Sequence, residues 1–299
     1  MLRRFGDGIL ILLVLVVAIG WFLIQSASRE SEGDVRFRGR FMPYFSTQPA
    51  PPVANKPPPA EPIGPLLPAP SPLDDQSEVE ARPAGPWSSG TAFAISSGGL
   101  WLTARHVALG CERLGLVNEI DQQLVAAKLI YSSRRADVAI LRTQGGPEPL
   151  ALDLDESDLR LGTTGFHIGY PQGKPGEVVS QLIGRELMIT SGAWRGRENT
   201  LAWAEVTRSR GLRGTLGGLS GGPAFDSAGR VIGITIAESL RRGRVVTTSA
   251  DSVIDALQDA GLRPIGQPIG TITTQTLGDE ASQLRRSVRI VQVVCLPPE

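Results

Sequence analysis

From Trp87 onward the chain is a succession of short alternating or apolar runs, at 91–95, 100–103, 123–131, 137–141, 165–170, 187–190, 201–206, 231–236 and 245–248, each bounded by glycine or polar turns. Such runs bury one face of a strand, and their spacing predicts an antiparallel all-β protein, a sandwich or a barrel. One clear helix is expected, over 251–260, where Val253, Ile254 and Leu257 share a face, Asp251 stands in the first turn and Gly261 follows the end.

The first 86 residues are of another kind. Residues 8–24 form an uncharged apolar run behind Arg3, Arg4 and Asp7, just long enough to cross a bilayer at ~1.5 Å per residue. Ser26-Ala27-Ser28 offers a small-residue cleavage site, which a secretory signal would need. The run is long for a signal, however, and Trp21 and Phe22 stand where an interfacial anchor belongs, so residues 1–25 are read as a cytoplasmic stub and a retained membrane helix. Arg3 and Arg4 then keep the amino terminus in the cytoplasm and send the rest of the chain across the membrane. Between Met42 and Pro86 lie 14 of the 23 prolines, closing on Asp74, Asp75, Glu78 and Glu80. Residues 26–86 are therefore expected to be a disordered, semi-stiff spacer rather than a docking motif.

The remainder, 87–299, is large enough for two small barrels sharing a core. Thirty basic against thirty acidic residues leave a formal net charge of zero, which argues against a nucleic-acid partner. Arginines cluster at Arg208, Arg210 and Arg213 and again at Arg241, Arg242 and Arg244, positions expected on loops and solvent-facing strand sites. Cys111 and Cys295 are the only cysteines, and in a non-cytoplasmic domain that even count makes a disulfide the expectation over two buried thiols.

Three segments carry the chemistry: Thr103-Ala104-Arg105-His106, Asp137 at the head of an apolar strand, and Gly218-Leu219-Ser220-Gly221-Gly222-Pro223. A serine hydroxyl is a weak nucleophile until a base takes its proton and a third group orients that base. His106, Asp137 and Ser220 supply those roles in the order His, Asp, Ser, and the amides of Gly218 and Ser220 are the candidate oxyanion hole. The second histidine, His167, lies in a strand-like run with no cysteine or carboxylate at ligand spacing, so it is read as structural, and neither a metal nor a cofactor is expected.

The stretch 87–257 resembles the trypsin-like serine proteases, most closely their bacterial HtrA-type branch. The resemblance rests on the run from Gly90 into His106, on Ile168-Gly169-Tyr170-Pro171-Gln172-Gly173, on the serine segment, and on the hairpin from Asp226 to Ile234. It implies two six-stranded antiparallel barrels over 87–260, with His106 and Asp137 on the first, Ser220 on the second, and the substrate in the cleft between them. Residues 261–299 are too short for the peptide-binding PDZ module of typical HtrA proteins and are expected to pack on the first barrel as a strand pinned through Cys295. The pattern departs at Leu219, where digestive trypsins carry Asp and HtrA relatives commonly Asn.

The specificity pocket is expected around Gly214, Thr215, Leu216 and Gly217 and the strand Ile236-Ala237-Glu238, suiting a small apolar side chain, with Glu238 leaving a basic one open. The implied protein is an endopeptidase held by one helix in the inner membrane of a bacterium, its catalytic part in the periplasm, acting on proteins or peptides. The other readings are a catalytically silent module that binds or senses, and an esterase, for which no lid-like segment stands out. Sequence leaves the oligomeric state open.

Overall fold

A computed structural model describes residues 64–119 and 122–298. The strands are β1 (Asp75–Ala81), β2 (Ser89–Ser96), β3 (Leu100–Thr103), β4 (Arg113–Val117), β5 (Leu124–Ser132), β6 (Ala139–Arg142), β7 (Thr164–Gly169), β8 (Gly176–Gly192), β9 (Gly196–Arg208), β10 (Pro223–Phe225), β11 (Val231–Ser239), β12 (Arg244–Thr248) and β13 (Ile290–Leu296). The α-helical segments are α1 (Arg105–Ala108), α2 (Ala250–Asp259) and α3 (Leu277–Arg286). The expected membrane helix falls outside the described residues, among which no helix is long and apolar enough to cross a membrane.

The fold is mostly β, as expected. Strands β13-β2-β3-β6-β5-β4 close into a barrel, and a second sheet runs β1-β8-β7-β10-β11-β12-β9. In that sheet β9 also pairs with β8, so six of its seven strands follow one another in a ring. The barrel interior is built from alternating apolar side chains such as Phe93, Ile95, Leu102, Ile140 and Val293. The second sheet packs around Leu182, Leu201, Trp203 and Val245.

The C-terminal segment does more than pack on the barrel: β13 is one of its six strands, paired with β2 from Ile290↔Phe93 to Val294↔Ser89 and with β4 from Gln292↔Val117 to Leu296↔Arg113. Without it β2 and β4 would each present an open row of backbone donors and acceptors. A disulfide joins Cys111 to Cys295, with Cα atoms 5.6 Å apart and a sequence separation of 184.

Two elements depart from the sequence reading. The spacer assigned to 26–86 carries ordered structure from residue 64: Leu67 donates to Leu159 O at 2.7 Å and is buried, and β1 pairs in parallel with β8 from Asp75↔Glu186 to Ala81↔Gly192. The reason lies between Pro72 and Pro83, a proline-free stretch that keeps every amide donor. Adding a strand to an open edge uses the main chain, so its charged side chains do not prevent it. The second departure is α3, a helix beyond the single one expected. Its buried Leu277, Ala281 and Leu284 follow the i, i+4, i+7 spacing, but the rest is polar and the stripe is too thin to stand out. The expected helix forms as α2, where the Ser249 side chain accepts from Ser252 N at the start and Gly261 takes φ +67° past the end.

Helix α3 delivers Arg285 to the turn between β7 and β8. Its Nη2 donates to Gly169 O at 2.9 Å and Gly176 O at 3.0 Å, and its Nη1 lies 2.7 Å from Glu177 Oε1, with both side chains fully buried. The guanidinium also sits 5.5 Å from the Tyr170 ring centroid.

Two outcomes follow from these links. Closing so long a loop stabilises by about 5 kcal/mol on chain-entropy grounds. Cys295→Ser is accordingly expected to lower the melting temperature by roughly 10–20 °C, and alkylation of denatured, unreduced protein to modify neither thiol. Arg285→Met leaves Glu177 buried without its cation and is expected to cost about 3–5 kcal/mol in denaturant unfolding, much of it recovered when Glu177→Gln is added.

Candidate active site

His106 stands on α1, one turn after the buried end of β3. Asp137 precedes β6, which pairs with β3 from Leu100↔Arg142 to Thr103↔Ala139 and so brings the two together. The Asp137 carboxylate grips the histidine twice: Oδ2 lies 2.6 Å from Nδ1, and Oδ1 accepts from the His106 main-chain N at 2.9 Å. A carboxylate facing Nδ1 can only accept there, so the ring proton sits on Nδ1 and Nε2 is left as the base. Burial pulls the imidazole pKa down, but the charge and hydrogen bond of Asp137 more than offset this and hold it above the ordinary histidine value. About a third of the side chain remains exposed, enough to meet a substrate.

Ser220 lies between β9 and β10 in a turn fitted against β2. Its carbonyl oxygen accepts from Thr91 N at 2.8 Å, while Thr91 Oγ1 donates to Gly218 O at 2.7 Å and accepts from Tyr170 N at 3.0 Å. The glycine after the serine is required: Gly221 has φ +87°, and an added Cβ would stand 2.0 Å from Thr91 O. Leu219 is buried in the core of the second sheet, which explains why an apolar residue stands in that place. Among the described residues no hydrogen bond joins His106 Nε2 to Ser220 Oγ.

The amides of this turn divide into two sets. Leu219 N donates to Leu216 O at 2.8 Å, Gly221 N to Thr235 O at 2.7 Å and Gly222 N to Leu219 O at 2.9 Å. Gly218 N and Ser220 N have no such acceptor among the described residues. Their orientation follows from peptide planarity, since each N–H points opposite the carbonyl of the preceding residue. Gly217 O accepts from Gln172 N at 2.5 Å and Leu219 O accepts from Gly222 N, which fixes both peptide planes.

Gln172 is a residue the sequence reading passed over. It takes a left-handed conformation, φ 55° and ψ 29°, and its Nε2 donates to Arg213 O at 2.6 Å and Thr215 O at 2.7 Å. One side chain thus holds the loop containing Gly214, Thr215, Leu216 and Gly217 from outside. Glu238 holds it from the other side, accepting from Leu216 N at 2.8 Å and bonding Thr215 Oγ1. The Glu238 carboxylate is thus engaged by the loop.

Strand β11 pairs with β10 only as far as Ile234↔Pro223, while Ala237 and Glu238 pair with β12 on the other side. Ile236, Ala237 and Glu238 therefore leave one edge of β11 without a strand partner. Residues of β1, the end of β11 and Arg241, Arg242 and Arg244 line a cavity of about 450 Å³. His167 is fully buried, bonded to Thr235 Oγ1 at 3.0 Å and Ser180 Oγ at 2.7 Å, and burial pushes its pKa down to about 3, as befits a neutral structural histidine. Among the described residues no group of His, Cys, Asp and Glu is arranged to hold a metal ion.

Residues 90–234 match the trypsin-like peptidase domain family. Among curated proteins the chain is 31% identical over 172 residues to a probable periplasmic DegP-like serine endoprotease of Pseudomonas savastanoi, and 28% identical over 172 residues to that of Hahella chejuensis. Each alignment takes in 58% of this chain and 34% of the relative, so the chain spans about a third of the length of the relatives it matches. Among solved structures it is similar to the active form of the Rv3671c protease from M. tuberculosis, at 16% identity and TM-score 0.49 over 67% of this chain and 97% of that one. It is also similar to the HtrA-type protease AlgW with a decapeptide, at 21% identity and TM-score 0.44 over 58% of this chain and 52% of that one. Over residues 90–234, just under half of its length, the chain is similar to the trypsin-like peptidase domain family, and the curated relatives it matches are probable periplasmic DegP-like serine endoproteases.

Proposed function

We propose that this protein is a serine endopeptidase that cuts protein substrates through an acyl-enzyme on Ser220. The observation that carries the reading is the pair of amides, Gly218 and Ser220, left without acceptors in a turn whose other amides are bonded. In the attack, His106 Nε2 takes the proton from Ser220 Oγ as that oxygen bonds to the scissile carbonyl carbon, and the oxyanion is met by the two amides. Collapse breaks the C–N bond, and the leaving amine takes the proton from His106. Water then repeats the sequence on the ester, returning the hydroxyl to Ser220 and releasing the acid. Asp137 holds the imidazole in its tautomer and stabilises the imidazolium formed at each step.

The free edge at Ile236, Ala237 and Glu238 would take the peptide main chain as an added strand. The loop Gly214–Gly217, stiffened by Gln172 and Glu238, would form a wall of the pocket beside it. The apolar run at 8–24 and the arginines ahead of it support a periplasmic catalytic domain tethered to the inner membrane of a bacterium. A second reading, a catalytically silent module that binds or senses peptides, is favoured by the missing His106–Ser220 hydrogen bond. In unliganded proteases that bond is often long and tightens only with substrate, so the enzyme reading is preferred.

Turnover of an unfolded protein separates the two readings. Ser220→Ala and His106→Ala are each expected to lower kcat by roughly 10⁶, with little further loss when combined, and Asp137→Asn by about 10⁴. No turnover by the parent, or equal turnover by Ser220→Ala, would end the proposal. Because Asp137 raises the His106 pKa and the base must be neutral, kcat/KM is expected to rise with pH through a midpoint above the ordinary histidine value of 6.5. A midpoint below it would mean that Asp137 does not govern the base.

A further inference from the structure

The hairpin formed by β8 and β9 reaches from the second sheet to the loop and helical turn that carry Asp137 and His106. At its tip the Trp194 ring lies 4.7 Å from the guanidinium carbon of Arg105, the residue before His106, and Ala193 N donates to Ala81 O of β1 at 3.0 Å. Four residues along, Glu198 accepts from Asp137 N at 2.8 Å through Oε2. The side chain is buried, with 5% of the residue's surface exposed, and its Oε1 has no hydrogen-bond partner among the described residues. A carboxyl so placed is costly to bury.

We propose that Glu198 is a positioning residue for the His106–Asp137 pair, holding the Asp137 main chain from the second sheet so that its carboxylate keeps both hydrogen bonds to His106. The inference rests on the reading of Asp137 and His106 as the acid and base of the site. Asp137 already uses its two oxygens on the histidine, so its backbone is the handle left by which another element can set its direction. Glu198 takes that handle. The groups that face it are Asp137 and, from α2, Ser252. His106 and Arg105 stand behind Asp137 and feel its charge.

Burial, then the Asp137 charge, push the Glu198 carboxyl up to about 8. It is therefore neutral at pH 7, and a single anion faces His106. Between pH 4.5, the ordinary glutamate value, and about 8 the unfolded chain has lost this proton and the folded one has kept it, so stability falls as pH rises through that window.

Three variants of the full chain test the proposal by kcat, KM and the low-field Nδ1–H proton resonance of His106. Glu198→Ala is expected to lower kcat on the order of 10²-fold with KM within twofold, and to broaden or shift the His106 resonance. Glu198→Gln, whose amide oxygen still accepts from Asp137 N, is expected to restore both and to abolish the loss of stability between pH 4.5 and 8. Glu198→Ala with parental kcat and an unmoved resonance would overturn the proposal. If Glu198→Ala fails to fold, a Glu198→Gln protein with a displaced resonance would overturn it equally. Should Ser220→Ala, the third variant, retain turnover, the enzyme reading has failed, and the His106 resonance alone still decides the role of Glu198.

Discussion

Thr91 is the joint on which the arrangement turns. It is fully buried on β2, in the barrel that carries His106, and all of its polar groups reach outside its strand. Its amide binds Ser220 O, its hydroxyl donates to Gly218 O and accepts from Tyr170 N, and its carbonyl accepts from Thr103 Oγ1 at 2.7 Å. The serine turn, the loop after β7 and the strand leading to the histidine are thus tied to one residue. Each bond contributes on the order of 1 kcal/mol net, but their geometric effect is larger, because they fix two sheets at the one place where the chemistry needs them in register. Gly90 permits the contact: an added Cβ would stand 2.5 Å from Val107 Cγ2 and 3.0 Å from Ser220 O.

Around that joint the chain uses segments before and after those that carry His106 and Ser220 to complete the fold. The C-terminal strand β13 closes the barrel and is held by the disulfide, and α3 ahead of it sends Arg285 into the turn between β7 and β8. Gln172 sits in that same turn and grips the loop leading to Ser220. Mechanical support therefore runs from α3 through the turn to the peptide that aims the Gly218 amide. On the other side, β1 extends the sheet along β8 and lines a cavity together with the end of β11.

What was legible in the sequence was whatever shows as pattern or as a scarce residue type. Alternating runs marked the strands, two histidines and two cysteines left few pairings to consider, and the glycines around Ser220 announced a turn that no other residue tolerates. Illegible features were those whose meaning depends on a distant partner. Glu198 lies ahead of the run at 201–206 and carries no signal until the start of β9 is seen to bring it against the Asp137 main chain. Gln172 reads as a turn residue until its amide is placed between two carbonyls. Strand β1 reads as spacer because its stabilisation comes from an edge of β8 more than a hundred residues away, and α3 because a thin apolar stripe and one buried arginine do the work of a full hydrophobic face.

In the proposed function the turn at Ser220 and the His106–Asp137 pair form one nucleophilic site. Its most direct measurement is peptide mapping by mass spectrometry after exposing the full chain to a fluorophosphonate, which reacts only with a serine whose proton is removed and whose oxyanion is held. A single adduct on Ser220 that is lost in His106→Ala is expected. No adduct, or an adduct on Ser220 that persists without His106, would contradict that reading.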